Sequence, residues 1–137
     1  PVSDAGGQVL VVAGCGLLGT SVARAFRRAN PQAIMIGIEP HQQSRDDALK
    51  QGVFTEVVGS LGEAKSLVVA ISGAHVVAVA ATPPAHLAET MAELALWCDL
   101  VMDVGSIKAP VVEALQALPA AARLTNLVPC HPMAGSR

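Results

Sequence analysis

The sequence predicts an α/β fold: a doubly wound parallel sheet of about six strands, in the order 3-2-1-4-5-6, with helices on both faces. Three observations carry this expectation. Short β-branched runs alternate with helix-period stretches along the chain. The run at 76–81, VVAVAA, has no polar alternation, the mark of a strand covered on both faces. The 137 residues are 52% hydrophobic and 15% charged, which suits one domain with a sizeable core.

Each element has its own reason. Gln8 to Ala13 is an apolar run that ends on glycine, a first strand. Leu18, Val22, Ala25 and Phe26 then recur at helical spacing over Leu17 to Ala29. Arg24, Arg27 and Arg28 fall largely outside that stripe, the last two where cations suit the helix dipole, and Asn30-Pro31 stops the helix. Ala33 to Ile38 is a second strand, His41 to Gln51 a polar helix closed by Gly52, and Val53 to Val58 a third strand. A helix over Glu63 to Ile71 precedes a fourth strand, Val76 to Ala81. Thr82 is the expected cap of the next helix, with proline tolerated in its first turn. Leu87, Met91, Leu94 and Ala95 form that helix's buried stripe. Asp99 to Val104 is a fifth strand, Pro110 to Leu118 a helix, and Asn126 to Cys130 a sixth strand. Residues 1–7 are expected to be a flexible lead-in and 8–137 a single domain. The lead-in lacks an initiating Met and the zones of a signal peptide, and is expected to come from processing or from a longer chain.

Composition excludes several functions. Net charge is −2, no basic stripe exists, and aromatic residues make up 2%, so nucleic acid is not an expected partner. Cys15, Cys98 and Cys130 are odd in number and form no CxxC pair, so neither a disulfide framework nor a metal site is expected. No stretch approaches 18 uninterrupted apolar residues, so no membrane contact is expected. A reducing, cytoplasmic setting fits best.

The first strand runs into Gly14-Cys15-Gly16-Leu17-Leu18-Gly19, a G-x-G-x-x-G at a strand–helix junction. Gly14 would permit the tight turn, Gly16 the close approach of a pyrophosphate, and Gly19 the packing of helix on strand. The opening amides of the helix, at Leu17 and Leu18, would meet the phosphates. Glu39, 20 residues beyond Gly19, stands where a carboxylate meets a ribose 2′-OH and repels a 2′-phosphate. This is the pattern of a Rossmann dinucleotide site, with NAD favoured over NADP, although Arg45 and His41 lie near. The competing account is a plain capping turn beside a solvated Glu.

Three polar groups follow neighbouring strands on the other half of the sheet: Thr82, Ser106 and His131. Strands about 4.8 Å apart would line them up beside the nicotinamide. His131 is the candidate base, since a neutral imidazole, ordinarily titrating near 6.5, can take an alcohol proton. Ser106 is its orienting partner or a donor to substrate, and Lys108 could attract a substrate carboxylate. The plainer alternatives are caps for Thr82 and Ser106 and a loop position for His131. His75 falls on the opposite edge of the sheet, His86 and Glu89 on a solvated helix face, and Asp103 and Cys130 among structural residues.

The segments Val11-Val-Ala-Gly-Cys-Gly-Leu-Leu-Gly19, Ala81-Thr-Pro-Pro84, Asp103-Val-Gly-Ser-Ile-Lys108 and His131-Pro-Met-Ala-Gly-Ser136 occur in the order seen in the prephenate/arogenate dehydrogenase family, which the chain resembles over nearly its whole length. The last two segments are the specific ones. The resemblance implies an NAD-dependent oxidative decarboxylation of prephenate to 4-hydroxyphenylpyruvate, or of arogenate to tyrosine, in tyrosine biosynthesis. It implies that His131 deprotonates the substrate hydroxyl, that Ser106 assists it, and that Thr82 and Pro83 lie by the nicotinamide. Family members continue into a helical domain that supplies the dimer interface and an arginine for the substrate carboxylate, so this chain alone is expected to be incomplete for catalysis. Cys130 stands where a glycine is common, and Arg137 where an acid is often found. Two other readings stay open on sequence: the domain of another NAD-dependent hydroxyacid dehydrogenase, and a dinucleotide-sensing module without catalysis.

Overall fold

A computed structural model describes residues 7–71, 73–104, 116 and 126–128. Its elements run β1 (Gln8–Ala13), α1 (Leu17–Ala29), β2 (Ile34–Ile38), α2 (Gln42–Lys50), β3 (Glu56–Val58), α3 (Leu61–Val69), β4 (His75–Ala80), α4 (Pro84–Ala95), β5 (Leu100–Asp103) and β6 (Leu127–Val128). Among the described residues they form one six-stranded sheet, ordered β3-β2-β1-β4-β5-β6, with every pair parallel. This is the doubly wound Rossmann arrangement that the sequence predicts. The expected helix Pro110 to Leu118, apart from Gln116, lies outside the described residues, as do residues 1–6 of the expected lead-in.

The apolar runs explain the layering. On one face Val9, Val11, Ile36, Ala78 and Val101 pack against Ala64 and Val68 of α3 and Leu87, Met91 and Leu94 of α4. On the other, Leu10, Val12, Met35 and Val79 pack against Ala23 of α1 and Ala48 of α2. Alternate residues of β1 thus serve opposite faces, as the two-residue period of a strand requires. Each buried Leu, Val or Met side chain contributes about 1.5–3 kcal/mol.

Several expected boundaries move, for local reasons. The third strand keeps only its last three residues. Val53 and Phe54 are buried as a plug on the α1/α2 face rather than as strand. Thr55 joins them to the sheet irregularly: its amide donates to Met35 O at 2.7 Å and its hydroxyl accepts from Met35 N–H at 3.1 Å. Helix α3 starts at Leu61 rather than Glu63 because Ser60 caps it, its Oγ accepting from Glu63 N–H at 3.2 Å. Thr82 is not the cap of α4. That position belongs to Pro83, and Pro84 opens the helix, where a missing N–H costs nothing. Asp99 precedes β5 instead of opening it, and its Oδ2 accepts from Val76 N–H at 2.7 Å.

Side chains tie the layers at their margins. Arg27 donates to the carbonyls of Pro31, Ala33 and Val53 at 2.9–3.2 Å, joining the end of α1 to the approaches of β2 and β3. Asn126 donates to Ala95 O and Cys98 O, closing the carboxyl end of α4.

Candidate dinucleotide site

The strand registers bring the site together. Ala13 pairs with Ile38 and Ala80, Ile38 with Val58, and Ala80 with Asp103, so five strands end level. The residues just beyond continue the ladder: Gly14 N–H donates to Ile38 O at 3.0 Å, Ala81 N–H to Ala13 O at 2.7 Å, and Glu39 N–H to Val58 O at 2.8 Å. Between β1 and β4 the covering helices change face. That is the switch point where open α/β sheets bind ligands.

The three glycines meet three different demands. Gly14 has φ +96°, and a Cβ there would stand 2.6 Å from Ala81 O. Only glycine lets the β1 turn lie against the Ala81-Thr82 main chain. A Cβ at Gly19 would collide with Gly14 O and press on Val12, so its absence lets α1 sit close on β1. Among the described residues, a Cβ at Gly16 would meet nothing within 4 Å. The fold makes no packing demand there, and the space is open to a ligand. Gly16 is the N-cap of α1 without a capping side chain, and the first helical bond runs from Thr20 N–H to Gly16 O at 3.0 Å. The amides of Leu17, Leu18 and Gly19 precede that bond, as donors at the positive end of the helix dipole. Leu17 is 86% exposed beside them.

Glu39 follows β2 and reaches back over the turn: its Oε2 accepts from Cys15 N–H at 2.8 Å. A carboxylate has acceptor capacity for further donors, such as ribose hydroxyls. Arg45 comes up from α2 and donates from one nitrogen to Glu39 O at 2.9 Å and Pro40 O at 2.8 Å. Its cation therefore clamps the main chain that carries Glu39. Sequence reasoning saw Arg45 only as a neighbour.

Cys15, between the first two glycines, turns inward. A Cβ at Gly37 would stand 2.6 Å from its Sγ, so the missing side chain at Gly37 makes its seat. Burial, reinforced by the charge of Glu39, pushes the Cys15 thiol up to about 12. It is a packing group rather than a nucleophile. Across the edge, Thr82 Oγ1 is buried and has no hydrogen-bond partner among the described residues. A buried polar atom left unpaired costs about 1–3 kcal/mol, and a ligand amide would satisfy it. Asp103 is fully buried at the end of β5. His75 lies at the amino edge of the sheet, and His86 and Glu89 are exposed on α4. Ser106, Lys108 and His131, the expected catalytic and substrate-binding residues, lie outside the described residues, as does Cys130. Among the described residues no cluster of three or more His, Cys, Asp or Glu could hold a metal, and no helix is long and apolar enough to cross a membrane.

Residues 22–137 match the family model of the prephenate dehydrogenase nucleotide-binding domain. The chain belongs to this family. A prephenate dehydrogenase of Bacillus subtilis (strain 168) is 35% identical over 134 residues, covering 94% of this chain and 33% of the relative. Two solved structures share the fold. A prephenate dehydrogenase from A. aeolicus, in complex with hydroxyphenyl propionate and NAD+, superposes with a TM-score of 0.74 at 22% identity, over 95% of this chain and 43% of that one. The arogenate dehydrogenase of Synechocystis gives 0.68 at 24% identity, over 94% and 42%. This chain thus spans about a third of the length of its curated prephenate dehydrogenase relative.

Proposed function

We propose that this prephenate dehydrogenase domain holds NAD for the oxidative decarboxylation of prephenate or arogenate. The observation that carries the cofactor is the joint at the end of β1. Gly16 leaves open space in front of the first amides of α1, and the Glu39 carboxylate is bonded to the same turn. The diphosphate would rest on the amides of Leu17 and Leu18, with Gly14 and Gly19 shaping the turn. Glu39 would accept from the ribose hydroxyls. Thr82 Oγ1, with Pro83 beside it, would meet the polar group of the nicotinamide. The dinucleotide supplies the acceptor for the hydride that leaves the ring carbon bearing the hydroxyl. His131 takes the hydroxyl proton as the carbonyl forms, and loss of CO2 then makes the ring aromatic. Ser106 orients His131 or the hydroxyl, and Lys108 draws a substrate carboxylate. The family match and the NAD+ complex of the A. aeolicus enzyme support this reading.

The test of the cofactor is thermal. A ligand that binds only the folded domain stabilises it by about 2.7 kcal/mol at a hundred times its Kd. NAD is expected to raise the Tm and NADP to raise it less. No shift with either would remove the cofactor, and a larger shift with NADP would remove the role of Glu39. The test of the chemistry uses the complete protein. His131→Asn is expected to lower turnover on prephenate or arogenate by orders of magnitude while NAD affinity holds. Unchanged turnover would leave a cofactor-binding module without this base.

A further inference from the structure

We infer that Asp47 is a second specificity-determining residue for the cofactor, acting with Glu39 against a phosphate on the adenosine ribose. The inference rests on the reading of this domain as an NAD site. A cleft of about 420 Å³ opens beside the glycine turn, between α1 and α2. It is lined by Gly16 and Glu39 at the turn, by Ser21 and Arg24 of α1, and by Ser44 and Asp47 of α2. A ribose held at Glu39 that carried a 2′-phosphate would need room next to that carboxylate, and this cleft is an open volume adjoining both Glu39 and Gly16.

Neither space nor polarity keeps a phosphate out, because the cleft is roomy and Ser21 and Ser44 are among its lining residues. Charge does. Two carboxylates, Glu39 and Asp47, share the cleft. Arg24 is the cation among its lining residues, and it donates to Gln51 Oε1 at 2.6 Å, across from α1 to the end of α2. Arg45, the other cation close to the end of β2, is held by the carbonyls of Glu39 and Pro40. His41, the N-cap of α2, is exposed and stands outside the cleft lining. A phosphate there would meet two acidic residues, Glu39 and Asp47, against Arg24, the single cation among the described lining residues, a net negative wall. Glu39 bars the 2′-phosphate at its root, and Asp47 bars the space it would extend into.

Asp46, its neighbour, gives a control. It has the same charge on the same helix but does not line the cleft. Asp47→Asn keeps an oxygen for the bond that Asp47 Oδ1 accepts from Gln43 Nε2 at 3.0 Å, and Asp47 is exposed, so the variant should fold. Dissociation constants for NAD+ and NADP+ would be measured for wild type, Asp47→Asn and Asp46→Asn at 0.05 and 0.5 M salt. The expected result is that Asp47→Asn tightens NADP+ by about threefold to tenfold and leaves NAD+ within about twofold, the scale of one like charge removed at short range. That gain should shrink at high salt, and Asp46→Asn should show no such gain. Unchanged NADP+ binding in Asp47→Asn, an equal gain in Asp46→Asn, or an equal change for both cofactors would overturn the role of Asp47. A wild-type protein that prefers NADP+, or binds neither, would instead overturn the NAD reading beneath it.

Discussion

Gly16→Ala separates the fold from the cofactor. At φ −78° and ψ −157° an alanine is unstrained, and its methyl would meet nothing within 4 Å. Alanine caps a helix less well than glycine, but it also lowers the entropy of the unfolded chain by an amount worth about 0.4–1 kcal/mol. The two effects oppose each other, so stability should stay within about 1 kcal/mol, and the Tm within roughly 4 °C for a chain of this length. The methyl, however, would point into the open space offered to the diphosphate. Overpacking typically costs about 1–3 kcal/mol, which weakens NAD by roughly fivefold to 150-fold. Gly19→Ala reverses the pattern. Its Cβ would fall on the Gly14 carbonyl, an atom of the main chain that cannot swing aside. A loss of roughly 3 kcal/mol is expected there, with a Tm lower by about 10 °C. Thermal melts with and without NAD, together with calorimetric titration, distinguish the two. Undiminished NAD binding by a folded Gly16→Ala protein would refute the placement of the diphosphate.

Three further outcomes follow from the same structure. Arg27→Ala removes donors from the carbonyls of Pro31, Ala33 and Val53 and should cost about 2 kcal/mol in urea unfolding; a loss under 0.5 kcal/mol would show that this joint is idle. Thr82→Val deletes an unpaired buried hydroxyl and should stabilise the free domain by about 1 kcal/mol while weakening NAD; an equal effect on free and NAD-bound protein would remove Thr82 from the site. Burial raises the Cys15 and Cys98 thiols from the ordinary 9.0 to about 12, with the charges of Glu39 and Asp99 adding to it. The protonated form is thus favoured in the folded state, so this stability is fully present below pH 9 and is lost as pH rises from about 9 towards 12. Alkylation at pH 8, mapped by peptide mass, should be slow at both thiols until denaturant is added.

Where burial and period agree, sequence and structure agree. Helix α1 begins and ends where its apolar stripe and Asn30 place it, and β1 and β4 lie within one residue of their runs. The glycine turn is legible because Gly14 and Gly19 answer separate steric demands while Gly16 leaves open space, and the place of Glu39 is legible because its distance from Gly19 follows from one helix and one strand. Apolar identity alone misleads elsewhere. Val53 and Phe54 are as buried as strand residues but fill a gap beside α2. Thr82 looks like a cap, yet the two prolines after it shift the helix start by one residue. The capping pair Ser60 and Glu63 stands in the sequence as S-x-x-E, and it starts α3 at Leu61, two residues before Glu63. The Arg45 clamp and the Arg27 joint depend on how side chains of one element meet main-chain carbonyls of the next, which no hydrophobic period encodes.

The nesting of Cys15 over Gly37 carries a consequence for how this turn can vary. The thiol and the missing methyl share one volume, so neither position is free while the other is kept. Bulk added on β2 would evict the sulfur and tilt the very amide that Glu39 grips, and a smaller residue in the turn would be the natural accommodation. Drift at these two sites should therefore be concerted, with nucleotide grip as the trait that enforces the bargain.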